Sequence, residues 1–173
     1  MKQLLRQYVL YRCKPGADAF ALGMNDVLNM FQIVSANAMA YMPLFVYATT
    51  PLTSAAFKRL CVTQRSADGS NRAAAENDTL YAWEVFLLNV EELTSTVTLG
   101  DLLMFVTGAD SIPPLGFQHP ITIEFYDMES ARHYPTASTC ELQLWLPRGI
   151  QDPVLLQELM EDAVLGAHGF GKC

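Results

Sequence analysis

The sequence predicts an α+β fold: a helical first portion, a hinge, and a small mixed portion at the C-terminal end. Three observations predict it. Apolar residues recur at helical spacing from the N-terminus to Val90; the pattern lapses over residues 91–97; beyond residue 98 two stretches alternate with a period of two before a last helix. The expected division is therefore 1–90, a hinge at 91–97, and 98–173.

Taken in order, the first thirty residues read as helix. Leu4, Leu5, Tyr8, Val9 and Tyr11 share one broad face, Pro15-Gly16 punctuates it, and Phe20, Met24, Val27, Leu28 and Phe31 continue at helical spacing. Two shorter helices are expected next. One ends before Pro43, and the other starts at Pro51-Leu52-Thr53 and carries Leu52, Phe57, Leu60 and Cys61. Ser66 to Asn71 is a polar, turn-rich stretch, expected to be exposed and mobile. Ala73 to Val90 reads as a strong helix with Leu80, Trp83, Leu87 and Val90 on one stripe, and Trp83 and Phe86 are expected in the core.

After the lapse at Glu91–Val97, Thr98 is placed to cap a helix over Leu99–Val106. Ile112-Pro113-Pro114-Leu115-Gly116 is a loop, and Ile121–Phe125 and Leu142–Leu146 alternate as strands. Asp152-Pro153 supplies an N-cap followed by proline at the first helical position. The face expected for that last helix is Leu155, Leu156, Leu159, Met160 and Ala163.

Composition narrows the function classes. The chain has 173 residues, 51% of them apolar, with 17% charged and 10% aromatic, which supports a folded core and argues against disorder. Its formal net charge of −7 is unevenly spread: residues 1–75 hold eight basic and three acidic groups, residues 76–173 three basic and fifteen acidic. A polyanion-binding protein would not place that excess of carboxylates on its longer half, so nucleic acid is a poor partner. Val27 to Phe57 is free of charge but carries Asn29, Gln32, Ser35, Asn37, Pro43 and Pro51, which break any spanning helix; no membrane span is expected. Gln7, Arg12 and Lys14 interrupt the N-terminus before a signal-type apolar run can form, so the expected compartment is cytoplasmic, nuclear or both.

Cysteines stand at positions 13, 61, 140 and 173, none in a CxxC pair, and no metal or cofactor is implied. Cys61 falls on an apolar helical face and reads as inert packing. Cys140 follows Tyr134–Thr139, an extended run of small residues, and immediately precedes a strand. That junction suits an accessible thiol with room for a bulky acyl partner. The opposing reading is an ordinary half-buried cysteine. His119, His133 and His168 share no helical spacing; a Cys-His hydrolase would need His133 or His168 folded against Cys140, and surface histidines are the other reading. Glu91-Glu92 and Glu161-Asp162 read as solvated charges, and no phosphate-binding glycine loop is present.

Tyr134-Pro135-Thr136-Ala137-Ser138-Thr139-Cys140, followed by Leu142-Gln143-Leu144-Trp145-Leu146-Pro147, resembles the active-site signature of HECT-type ubiquitin ligases, Leu-Pro-x-Ala-x-Thr-Cys leading into a strand that ends in Leu-Pro. Leu102–Gly108 resembles the family's Leu-Leu-x-Phe-Val-Thr-Gly, Ile112–Phe117 its Pro-x-x-Gly-Phe, and Gly169-Phe170-Gly171-Lys172-Cys173 its ending, with the aromatic fourth from the end. Tyr81–Phe86 stands where the family has an aromatic-rich helix, and Pro43-Leu44-Phe45 and Leu52-Thr53 echo its N-lobe. The resemblance is clear over 98–173 and loose over 20–97. Tyr134 replaces the usual leucine, Glu141 stands where many members have phenylalanine, and Leu142 where many have asparagine.

The resemblance implies a helical N-lobe fragment at 1–90 that docks a ubiquitin-conjugating enzyme, and a HECT C-lobe at 98–173. It also implies that the larger part of the N-lobe lies outside these 173 residues. Cys140 is then the catalytic residue: its thiolate accepts ubiquitin from the conjugating enzyme as a thioester and passes it to a lysine of a protein substrate. Thr139 and Phe170 take supporting roles, Thr139 near the developing oxyanion and Phe170 pinning the tail. Glu141 either opposes ionisation of the neighbouring thiol or orients an incoming lysine. The alternative is a catalytically impaired HECT-like fragment that binds ubiquitin or a conjugating enzyme without transfer.

Overall fold

The computed structural model describes residues 2–46, 51–128 and 134–167. The chain divides into two units, Met1–Thr49 and Thr50–Cys173.

The first unit is helical. α1 spans Lys2–Asp26, α2 Met30–Ala36 and α3 Ala38–Phe45. Pro15 lies inside α1, so the expected punctuation there is absent: proline removes one N–H but the turns on either side hold the helix. The break comes instead at Leu28 and Asn29, both in the left-handed region at φ 51° and 54°. Phe20 meets Phe45 edge to face at 6.3 Å, joining α1 to α3. Nonetheless Tyr8, Tyr11, Phe20, Val27, Leu28 and Phe31, on the face expected to be apolar, are exposed, and Met24 is half-buried.

The second unit holds α4 (Ser54–Leu60), β1 (Cys61–Thr63), α5 (Asn71–Glu91), α6 (Leu99–Thr107), β2 (Ile121–Tyr126), β3 (Thr136–Ser138), β4 (Gln143–Pro147) and α7 (Pro153–Ala167). Each helix start has a local cause. Thr53 caps α4 and Ser70 caps α5, their side-chain oxygens accepting from Ala56 N and Ala73 N at 3.1 Å. Thr98 and Asp101 form a reciprocal capping box on α6, and Asp152 precedes Pro153 at the start of α7, accepting from Val154 N at 2.9 Å.

The sheet runs β1-β2-β4-β3, with β1, β2 and β4 parallel and β3 antiparallel to β4. Strand alternation sets its inner face: Ile121, Ile123, Leu144 and Leu146 are buried, against Leu102, Leu103 and Val106 of α6 and Leu156, Met160 and Val164 of α7. The buried stripe of α7 is thus shifted from the one expected, since Leu155 is exposed and Val164 takes the inner position. α5 lies against α7, and Trp83 stacks between Phe57 and Phe86 at 6.2 and 5.7 Å, as the core assignment required. Buried Thr79 ties α5 to the chain after β4: its hydroxyl donates to Pro147 O at 3.0 Å and accepts from Gly149 N and Ile150 N at 2.9 and 3.1 Å. The architecture is α+β.

Residues 91–97, where the hinge is expected, join α5 to α6 and hydrogen-bond to α7. Glu161 of α7 accepts from the Ser95 hydroxyl at 2.7 Å and from Thr96 Oγ1 and N at 2.6 and 3.2 Å, and Val97 is buried. Burial works to raise the Glu161 carboxyl, but the bonds from Thr96, Ser95 and Gln157 outweigh it and hold it low. Glu91 caps α4 by accepting from the hydroxyl and N–H of Ser54. Neither carboxylate is merely solvated. Likewise Ser66, in the loop expected to be mobile, donates its N–H and hydroxyl to buried Glu76 at 2.8 and 2.6 Å.

Candidate active site

Parallel pairing of β2 with β4 sets Thr122 beside Gln143, so the N-terminal ends of both strands lie side by side. The loops that feed them must therefore meet. One is the segment from α6 to β2, containing Pro113, Gly116, Phe117, Gln118 and His119. The other is the turn Thr139-Cys140-Glu141-Leu142 between β3 and β4, where Ser138 pairs with Gln143. Together they line a cavity of about 300 Å³ whose wall includes Thr139, Cys140, Leu142 and His119.

Cys140 is the second residue of that turn, outside the ladder, and it is exposed. The turn is held at both ends. Tyr126 donates its hydroxyl to Tyr134 O at 2.8 Å, fixing the chain that enters β3. At the far end Leu142 is buried, and its carbonyl accepts from Thr122 N at 2.9 Å. Leu142 adopts φ 48°, a left-handed conformation costly for a branched residue. Asparagine tolerates that region better than leucine. Thr139 sits against the end of α6: a Cβ placed on Gly108, the helix C-cap at φ 76°, would meet the Thr139 Cβ at 3.8 Å. Glu141 is exposed beside the thiol.

The other thiols differ. Cys61 opens β1 rather than continuing a helix; its Sγ–H donates to Phe57 O at 3.4 Å, and burial pushes the thiol up to about 12. It is unsuited to nucleophilic work, as expected. Cys13 is exposed on α1. Phe170, His133 and His168 lie outside the described residues. The histidine brought to the wall of the Cys140 cavity is His119, whose Nδ1 lies 3.1 Å from Pro120 O. No local signal marks it, because it reaches the cavity through the β2–β4 pairing. Among the described residues no group of three or more His, Cys, Asp or Glu is placed to hold a metal ion, and no helix is long and apolar enough to cross a membrane.

Over residues 1–172 the sequence matches the HECT domain (ubiquitin-transferase). The chain belongs to the HECT family. It is 31% identical over 147 residues to the G2/M phase-specific E3 ubiquitin-protein ligase of Gallus gallus, covering 85% of this chain and 18% of that protein. The protein of the same name from Homo sapiens is 25% identical over 147 residues, with 85% of this chain and 19% of the relative covered. The HECT chain described here thus spans about a fifth of the length of these curated relatives. Within the HECT domain, the Thr139-Cys140 pair sits in the turn that precedes β4, and the Leu102–Gly108 stretch forms α6 and its glycine cap.

Proposed function

We propose that this chain is the C-terminal part of a HECT-type ubiquitin ligase that carries ubiquitin as a thioester on Cys140 and transfers it to a substrate lysine. The observation that carries the reading is an exposed cysteine in a turn anchored at both ends and opening on a cavity, within the stretch that resembles the family's active-site signature. The Cys140 thiolate attacks the thioester carbonyl joining ubiquitin to a conjugating enzyme, and the enzyme's thiolate leaves. One thioester replaces another, so orientation rather than driving force is what the protein supplies. A lysine amine then attacks the new thioester, an isopeptide bond forms, and Cys140 is released. In this reading Thr139, beside the thiol, helps hold the developing oxyanion, and Phe170 anchors the tail.

The same thiol faces two partners in turn, which requires the part bearing it to be reoriented between steps. In this reading residues 91–97 serve as the hinge for that reorientation, and the helical portion 1–90 contributes to the docking of the conjugating enzyme.

The test is a single turnover: a conjugating enzyme preloaded with ubiquitin is mixed with this chain and quenched without reductant. A reductant-sensitive ubiquitin adduct that disappears in Cys140→Ala is the expected result. Glu141, a carboxylate exposed beside the thiol, favours a second reading, a module that binds ubiquitin or the conjugating enzyme without transfer. Binding without any adduct, in this chain and in a longer one carrying the rest of the HECT domain, would establish that reading instead.

A further inference from the structure

We infer that His119 is the proton acceptor for the lysine that discharges Cys140; the inference rests on the thioester reading above and assigns the base for its second step. His119 and Cys140 belong to different loops, yet they line one cavity of about 300 Å³. The imidazole is exposed, so an acceptor entering from solvent reaches it. Pro120 O can only accept, so a hydrogen bond at 3.1 Å has Nδ1 as its donor, and in the neutral ring Nε2 is then the acceptor. The remaining walls are Pro113, Gly116, Phe117, Gln118, Thr139 and Leu142, which supply no competing base. Cys140 stands in the same wall, and Glu141 follows it in the turn.

The step balances without oxidant or reductant. The lysine nitrogen attacks the thioester carbonyl carbon, the C–N bond forms, and the C–S bond breaks with its electron pair going to Cys140 Sγ. The proton shed by the nitrogen passes to His119 Nε2 and from there to Sγ, restoring thiol and neutral imidazole. A cavity of this size suits an extended amine-bearing side chain. Transthiolation from the conjugating enzyme exchanges one sulfur for another and removes no amine proton, so His119 bears on discharge and leaves loading largely unaffected.

The experiment separates the two steps. Wild-type chain, His119→Gln and His119→Ala are loaded with ubiquitin from a preloaded conjugating enzyme, then chased with free lysine between pH 5.5 and 8.5. Loading is expected to agree within about twofold, whereas discharge of His119→Gln falls about a hundredfold, the ordinary scale of a lost general base. The shape of the discharge rate plotted against pH should differ between wild type and the variants, and added imidazole should restore part of the rate to His119→Ala. Equal discharge with an unchanged pH profile would overturn this inference while leaving the Cys140 thioester intact. Absence of any adduct on wild-type Cys140 would overturn the thioester reading and this inference with it.

Discussion

Arg148 donates from Nε to Oε1 of Glu76 at 3.0 Å, linking the residue that follows β4 to a carboxylate enclosed on α5. Glu76 is 1% exposed and also takes both donors of Ser66, while Arg148 pairs in addition with Asp127. The cluster joins the loop after β1, helix α5 and the end of β4. It is the buried charge on which the second unit's fold closes.

The Glu76 carboxyl should therefore govern acid stability. Burial acts to raise it and is the largest single influence, but the bonds from Ser66, then those from Arg148, together hold it below its ordinary value of 4.5. A carboxylate held low in the folded chain contributes stability that is present above the unfolded value and lost as pH falls through the folded one. Urea midpoints should thus drop on acidification below pH 4.5. Glu76→Gln should cost about 2–4 kcal/mol at pH 7 and flatten that dependence. Parallel urea titrations of both proteins at pH 7 and pH 3.5 check this; an equal acid loss in the variant would remove Glu76 from the account.

Leu142 yields a prediction whose sign is unusual. At an ordinary position glycine is less stable than alanine, because it has more backbone freedom to lose. At φ 48° the order should reverse. Both substitutions delete the buried side chain, but only glycine relieves a left-handed strain of about 1–2 kcal/mol. Leu142→Gly should be more stable than Leu142→Ala by about 1 kcal/mol, both lying below wild type. Chemical denaturation of the three proteins decides it, and alanine at or above glycine would show that the turn is unstrained.

How much of this was legible depended on how local the cause was. α6 and α7 were readable because Thr98, Asp101, Asp152 and Pro153 act within one turn of the residues they cap. β2 and β4 were readable from alternation. β1 and β3 were not: three residues each are too few to show a period, and Cys61–Thr63 is a strand because Ile121–Ile123 lies beside it. The lapse at 91–97 was real, but its meaning was carried by Glu161, some 65 residues later in the chain. Cys140 stood out through its motif, whereas His119 could not be assigned to it without knowing that β2 and β4 are neighbours.

The first unit should dominate the solution behaviour of the whole chain. None of its described residues 10–46 is buried, and Tyr8, Tyr11, Phe20, Leu22, Leu28 and Met39 are all more than half exposed. Apolar surface on that scale drives association unless something covers it. Residues 50–173 contain the buried core and should melt cooperatively as a monomer when expressed alone. The full 173 residues should self-associate with rising concentration. Light scattering coupled to size exclusion checks both; a monodisperse, cooperatively melting full chain would sink the prediction.

Thiol chemistry provides a test that needs no partner protein. Alkylating agents react with the thiolate, so accessibility and ionisation act together. Cys140 and Cys13 are exposed, while Cys61 is partly enclosed beneath α4, donates to Phe57 O, and has its thiol pushed up to about 12. With iodoacetamide at pH 7.5, Cys13 and Cys140 should be modified at least about a hundredfold faster than Cys61, whose thiolate fraction is vanishing there. Urea should bring Cys61 up to the rate of the others, because its protection comes from the fold. Peptide mass spectrometry over a time course reads each site separately. Cys61 labelling as fast as Cys140 in the native protein would contradict the burial on which the contrast rests. Slow labelling of Cys140 would mean that its turn closes over the thiol, which the proposed transfer chemistry cannot accommodate.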